Sequence, residues 1–153
     1  MKNAACYTPA GIRNAASDFQ GLWSEQNLRS IAFPFPKLQS KTLGTRSREI
    51  VTWAAGTGVG KSSLLRELQH YYLKQTDANI GIIALEESVD RTRRGILAVE
   101  ANDRLHLNEV FEKYSKEQIR DYFDNTLGTG RVFIYDHFGS LEMDDLLDRV
   151  RYM

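Results

Sequence analysis

The sequence predicts an α/β fold with a mostly parallel sheet flanked by helices, and three observations predict it. Three apolar segments (residues 49–55, 80–85 and 132–136) have the length and composition of buried strands. Each is followed by a segment whose apolar residues recur at helical spacing. A glycine-rich loop separates the first strand from its helix. Alternating strands and helices are typical of an open parallel sheet.

Length and composition are those of one globular domain. Of 153 residues, 42% are hydrophobic and 26% charged, and the basic and acidic residues number 20 each. The zero net charge gives no long-range attraction to nucleic acid or an anionic membrane, although a local basic strip remains compatible with it. Cys6 is the single cysteine and the N-terminus lacks a signal peptide's apolar core, so we expect an intracellular location, the host cytoplasm for a viral protein.

Two parts are expected along the chain. Residues 1–37 would form an N-terminal linker, with a helix over residues 9–23 that contacts either a neighbouring subunit or its own core. The prolines Pro34 and Pro36 favour an extended entry from this linker. Residues 38–153 would form the core. In that core, Ser88, Ser115 and Ser140 stand where helices are expected to begin, and Ser115 would form a capping box with Gln118.

The loop carries the strongest chemical signal. It comprises Ala55, Gly56, Thr57, Gly58, Val59, Gly60, Lys61, Ser62 and Ser63. Glycines let backbone N–H groups approach an anion closely, and the start of the next helix adds unpaired donors. Lys61 can reach the outer phosphates of ATP or another nucleoside triphosphate, and the Ser62 hydroxyl can bind Mg²⁺. Ala55 stands where this pattern usually has glycine, and the alternative is a glycine-rich turn without a ligand.

Hydrolysis of a nucleotide also needs a carboxylate near the outermost phosphate. Glu86 follows the second predicted strand and is our candidate, although a solvated carboxylate at a strand end is common. Asp136 follows the third strand and could hold Mg²⁺, but any strand followed by a turn aspartate gives this weak signal. The arginines that follow Glu87 are expected to form a solvated helix face. We assign no metal role to the histidines.

These residues resemble a known family. Thr42-Leu43-Gly44, the loop, and Ala84-Leu85-Glu86-Glu87-Ser88 resemble the RecA-like motor domain of ring-shaped replicative DNA helicases, in the branch of phage primase–helicases and mitochondrial Twinkle. The segment Val132-Phe133-Ile134-Tyr135-Asp136-His137-Phe138 and the leucine-bearing helix up to Met153 are similar as well. The resemblance covers residues 38–153.

The resemblance implies a hexameric homo-oligomer that hydrolyses nucleoside triphosphate between subunits. Such a ring moves 5′ to 3′ along single-stranded DNA and unwinds the duplex. It also implies that Lys61 binds the phosphates, that Ser62 binds magnesium, and that Glu86 polarises the attacking water. Asp136 is not the family's magnesium aspartate, because that residue lies on a later strand.

The same resemblance predicts an incomplete motor. The magnesium aspartate, the DNA-gripping loops and the arginine finger would follow Met153, and neither a zinc-binding nor a primase portion is present. We therefore expect the 153 residues to bind nucleotide but to hydrolyse it weakly or not at all, with ring contacts made by the C-terminal half and the N-terminal linker. Two alternatives remain open: a small P-loop kinase in which Asp136 holds magnesium, and a non-hydrolysing, nucleotide-dependent assembly module.

Overall fold

The structure is a computed structural model that describes residues 30–153. The predicted helix over residues 9–23, and most of the predicted linker, lie outside the described residues. The described part of the chain is an α/β unit, as predicted from the sequence. Among residues 30–153, no helix is long and apolar enough to cross a membrane.

From Lys61 onward, helices and strands alternate as expected, while the first predicted strand is absent and short additional elements occur before Lys61 and between Ile83 and Val132. The elements are β1 (Ser30–Ile31), α1 (Pro36–Thr42), β2 (Thr45–Arg46), α2 (Lys61–Gln75), β3 (Ile80–Ile83), α3 (Val89–Glu100), α4 (Asn108–Phe111), α5 (Lys116–Asp124), a 3-10 turn (Leu127–Thr129), β4 (Val132–Tyr135) and α6 (Met143–Tyr152).

Two of the three predicted core strands form. Strands β3 and β4 pair in parallel, with Ile80 opposite Val132 and Ile83 opposite Tyr135. Their connection runs through α3, α4 and α5, which is the long crossover that a parallel pair requires. Strands β1 and β2 form a separate antiparallel pair. The parallel sheet in residues 30–153 therefore has two strands.

The strand predicted for residues 49–55 was wrong. These residues have no regular secondary structure, and no strand in the described part of the chain pairs with them. The Ile50 side chain is 94% exposed and Val51 is 46% exposed. Glu49 instead accepts hydrogen bonds from the backbone and guanidinium of Arg46 (2.9 and 3.0 Å), which closes a turn. An apolar run gains little from an extended strand without a neighbour to satisfy its backbone.

The core lies where α2 and α3 pack together over the sheet. Its buried apolar side chains include Leu68, Leu73, Ile82, Ile96, Leu97 and Leu105. Arg131 joins the sheet to the end of α2, because its guanidinium donates to the carbonyls of Leu73 (2.8 Å) and Thr76 (2.6 Å). This contact satisfies carbonyls that the end of a helix leaves without an intrahelical partner.

Helix starts follow the sequence at two of the three predicted serines. The Ser88 hydroxyl accepts from the Arg91 N–H at the start of α3, and Ser115 forms the predicted capping box with Gln118 at the start of α5. The third prediction, that Ser140 caps the last helix, was wrong. Helix α6 begins after Glu142 without a side-chain cap, and its apolar residues Met143 and Val150 are exposed.

Candidate functional site

The glycine-rich loop leads directly into α2. Gly60 immediately precedes the helix, which begins at Lys61. Gly58 and Gly60 have φ angles of 77° and 97°, in the left-handed region that favours glycine. A Cβ at either position would meet no atom within 4 Å, so backbone conformation rather than crowding requires glycine there. The predicted change from loop to helix is confirmed.

The backbone donors of this loop are unused within the described residues. No N–H group of residues 56–63 donates a hydrogen bond to a partner in residues 30–153, and the first such bond runs from Leu64 to the Gly60 carbonyl (3.0 Å). No side chain caps the start of α2. Unpaired N–H groups at the positive end of a 15-residue helix are a favourable environment for an anion.

Lys61 folds back over the loop. Its Nζ donates to the carbonyl oxygens of Ala55 and Gly56, both at 2.9 Å. The ammonium group therefore lies at the loop, whose own N–H donors also favour an anion. Ala55 takes part through its backbone carbonyl, which alanine supplies as well as glycine. The departure from the usual pattern at this position leaves the contact intact.

A cleft of about 540 Å³ lies beside the start of α2. Ser62 and Glu86 both line it, which brings together two of the predicted site residues. Among its other lining residues, Gln69 and Thr92 each have a buried side-chain oxygen without a hydrogen-bond partner in the described part of the chain. Thr92 is only 3% exposed. Buried polar atoms are usually satisfied, so these two atoms have hydrogen-bonding capacity for a polar ligand or water.

The two glutamates that end this strand region have different surroundings. Both oxygens of Glu87 accept from the Arg66 guanidinium, at 2.8 and 2.7 Å. Glu86 is exposed and makes no hydrogen bond to the described residues. Glu87 is thus committed to an ion pair, whereas the Glu86 carboxylate is available to a ligand in the cleft.

The remaining predicted candidates lie elsewhere. Asp136 is exposed and is not among the residues that line this cleft. His137 stacks on Tyr135, with ring centroids 5.5 Å apart, and its Nε2 lies 2.8 Å from the Ser140 carbonyl oxygen. Of the three arginines expected on a solvated helix face, Arg91 and Arg93 are exposed, whereas Arg94 is half-buried and donates to Asn108 (2.6 Å). Within residues 30–153, no three His, Cys, Asp or Glu side chains form a group that could hold a metal ion.

Sequence reasoning missed Arg66, Gln69 and Thr92. One signal was available for Arg66, which follows Ser62 by four residues and therefore shares its face of α2. No comparable signal marked Gln69 or Thr92, because their position at the cleft depends on how α2 and α3 pack.

A charged cluster joins the far ends of the two helices that border the cleft. Glu100 of α3 contacts Nε2 of His70 at 2.5 Å and Nζ of Lys74 at 2.9 Å, both on α2. Burial by itself would raise the pKa of Glu100, but the hydrogen bonds from His70 and Lys74 outweigh burial and lower the pKa below its usual value of 4.5. The cluster therefore fixes α2 against α3 most strongly when Glu100 is ionised.

Comparison with known proteins points in one direction. No model of a known protein family matches the chain. The chain is 29% identical over 157 residues to a DNA helicase/primase of Enterobacteria phage T3. That similarity extends over 99% of this chain and 28% of the phage protein, so the chain spans little more than a quarter of its relative. The similarity supports membership of a helicase-related family.

Proposed function

We propose that this chain is the ATP-binding part of a replicative DNA helicase motor with a P-loop, RecA-like core. In this role it hydrolyses ATP or another nucleoside triphosphate in a ring-shaped homo-oligomer and couples hydrolysis to 5′ to 3′ movement on single-stranded DNA. The observation that carries the proposal is that Ser62, in the first turn of the helix that follows the loop, and Glu86 line the same cleft. The relative of phage T3, described as a DNA helicase/primase, supports the assignment.

The groups of the loop and of the cleft have the chemistry that nucleotide binding and hydrolysis need. The backbone N–H groups of residues 56–63 bind phosphate oxygens, and Lys61 exchanges its contacts with the Ala55 and Gly56 carbonyls for phosphate. The Glu86 carboxylate orients a water molecule and accepts its proton. The unpartnered oxygens of Gln69 and Thr92 can hold ordered water in the same cleft.

The residues present also fit magnesium. Mg²⁺ is usually bound by one or two protein oxygens together with substrate phosphates and water, so a site needs no dense group of protein ligands. The Ser62 hydroxyl, next to the predicted phosphate-binding lysine, supplies one such oxygen. When bound, the ion would neutralise charge on the phosphates.

Nucleotide binding by the 153-residue chain is the first test. We expect isothermal titration calorimetry to show saturable binding of Mg–ATP to the wild-type protein. Lys61→Ala should weaken this binding at least about tenfold, because it removes the loop's ammonium group. Lys41→Ala is the matched control, since Lys41 is an exposed lysine in the last turn of α1 that makes no hydrogen bond to the loop. It should change the affinity less than about twofold.

Absence of binding by folded wild-type protein would overturn the proposed function. Equal weakening by the two lysine variants would overturn the specific role of Lys61. Circular dichroism on each variant separates loss of binding from loss of folding.

The helicase role needs a second test. ATP turnover should be measured, with and without single-stranded DNA, on the complete protein that the gene encodes. We expect DNA to stimulate turnover and Glu86→Gln to abolish the stimulated rate while Mg–ATP still binds. Turnover that DNA leaves unchanged would contradict the helicase role and leave nucleotide binding standing.

The kinase alternative receives less support from the geometry. It needs Asp136 to hold magnesium near the loop, and Asp136 does not line the cleft that contains Ser62. Asp136→Asn is therefore expected to leave Mg–ATP affinity unchanged. A loss of affinity comparable to that of Lys61→Ala would favour the kinase.

A further inference from the structure

Arg66 links α2 to the turn of residues 85–88, which lies between β3 and α3 and carries Glu86 and Glu87. It lies on α2, one helical turn after Ser62, and its guanidinium contacts both carboxylate oxygens of Glu87 at 2.8 and 2.7 Å. The two side chains are 14% and 20% exposed, so the pair is largely shielded from water. Removing either partner would leave a partly buried charge without compensation, which costs more than the loss of an exposed ion pair.

Gly95 gives Arg66 the space to make this contact. A Cβ at Gly95 would lie 2.7 Å from Cδ and 2.8 Å from Cζ of Arg66, and closer still to Nε. Gly95 is buried in the middle of α3, where glycine is a poor helix former relative to alanine. The Arg66 side chain therefore crosses α3 at the one place where α3 has no side chain to block it.

The ion pair of Arg66 and Glu87 also restricts the position of Glu86. Glu87 is adjacent to Glu86 in the chain, and Ser62, Arg66, Glu86 and Glu87 all line the cleft. Holding Glu87 against α2 fixes the backbone from which Glu86 projects. Two hydrogen bonds also end on the backbone of the same turn, each at 3.0 Å. Thr92 N–H donates to the Ser88 carbonyl as the first bond of α3, and Gly139 N–H donates to the Leu85 carbonyl from after β4.

We propose that Arg66 is a positioning residue that holds Glu87 and so transmits nucleotide binding at the loop to the turn that carries Glu86. This inference rests on the proposed function, because it takes the loop as the nucleotide site and Glu86 as the group that acts on water. In this proposal Arg66 acts through Glu87, the residue that its guanidinium contacts, and not on the nucleotide or the water. Its variants should therefore change how the turn responds to nucleotide more than they change nucleotide affinity.

Amide hydrogen exchange, followed by NMR on the 153-residue protein, tests the proposal directly. The reporters are the N–H groups of Thr92 and Gly139, since both donate to carbonyls of the turn. Mg–ATP should slow exchange at both reporters in the wild type. In Arg66→Met, exchange without nucleotide should be about tenfold faster, because one charged contact has been lost. Mg–ATP should then no longer slow it, while calorimetric affinity stays within about threefold.

Three further variants separate positioning from general stability. Arg66→Lys keeps a charge that can reach Glu87 and should restore part of the response. Gly95→Ala keeps every charge and improves helix propensity, yet it should remove the response by displacing the Arg66 side chain. The matched control is Arg93→Met, because Arg93 is an exposed arginine of α3 whose ion pair with Asp90 is 3.7 Å long. It should behave like the wild type.

The outcomes for this inference and for the proposed function are distinct. If Mg–ATP binds and still slows exchange at Gly139 in Arg66→Met and Gly95→Ala, the positioning role is wrong and the proposed function stands. If Mg–ATP does not bind wild-type protein, the proposed function fails and transmission fails with it. Exchange at Thr92 and Gly139 without nucleotide still tests whether the ion pair holds the turn. If these rates are the same in Arg66→Met and the wild type, the ion pair does not hold it.

Discussion

Residues 49–55 (the first run) and residues 80–85 (the second run) were both predicted to be strands, and each leads into one half of the candidate site, yet only the second run forms a paired strand. Strand β3 pairs in parallel with β4, and Ile82 is 5% exposed. The first run has no partner strand in the described residues, and Ile50 is 94% exposed. Apolar composition makes a strand possible, whereas a neighbouring strand and a covering helix are needed to stabilise it.

The two halves of the candidate site, the glycine-rich loop and the turn that carries Glu86, differ in whether local or distant contacts define them. The loop after the first run is defined locally, by glycines with positive φ and by the start of α2. The turn after the second run is defined by distant contacts, above all by Arg66, which is 21 residues from Glu87. A short motif can specify the first half completely, but the second half exists only when α2, α3 and the sheet have packed.

The largest expected effect contrasts the two runs directly. Ile82→Ala should lower the free energy of unfolding by about 3 kcal/mol, because it removes a buried side chain from the core of the described unit. Val51→Ala removes a side chain that is 46% exposed and should cost less than about 0.5 kcal/mol. Urea denaturation of the two variants measures both values. Similar costs would mean that the first run is as well packed in solution as the second.

A smaller effect on stability is expected from the charged cluster that joins α2 and α3. Glu100→Gln should lower the free energy of unfolding at pH 7 by about 1 kcal/mol, since it weakens the contacts with His70 and Lys74. Glu67→Gln, an exposed position on α2, is the control and should have almost no effect.

The pH dependence of this contribution has a definite sign. The folded-state pKa of Glu100 lies below its usual value of 4.5, so the folded protein binds the proton less readily than the unfolded chain. The contribution is therefore complete above pH 4.5 and is lost as pH falls through the lower, folded-state pKa. Wild type and Glu100→Gln should converge in stability as the pH falls below 4.5. A difference that grows there would contradict the assignment.

Sequence patterns predicted the features that depend on neighbours in the chain. The helix start at Lys61, the Ser88 cap and the capping box of Ser115 all depend on groups within three or four residues, and all three form. The unpaired first run and the pairing of Arg66 with Glu87 depend on residues far apart in sequence. Neither follows from periodicity or propensity, because both are decided by which surfaces meet in the folded chain.

The smallest expected effect tests this distinction at two serines that the sequence marked as caps. Ser88→Ala should lower the free energy of unfolding by about 0.5 kcal/mol, near the lower end for such caps because its bond to the Arg91 N–H is 3.3 Å long. Ser140→Ala should have no measurable effect, since α6 begins after Glu142 without a side-chain cap and only the Ser140 carbonyl contacts His137. Thermal unfolding of both variants, followed by circular dichroism, compares them. Equal destabilisation would show that α6 begins at Ser140 in solution. The cap that the sequence predicts at Ser140 would then be correct, as it is at Ser88.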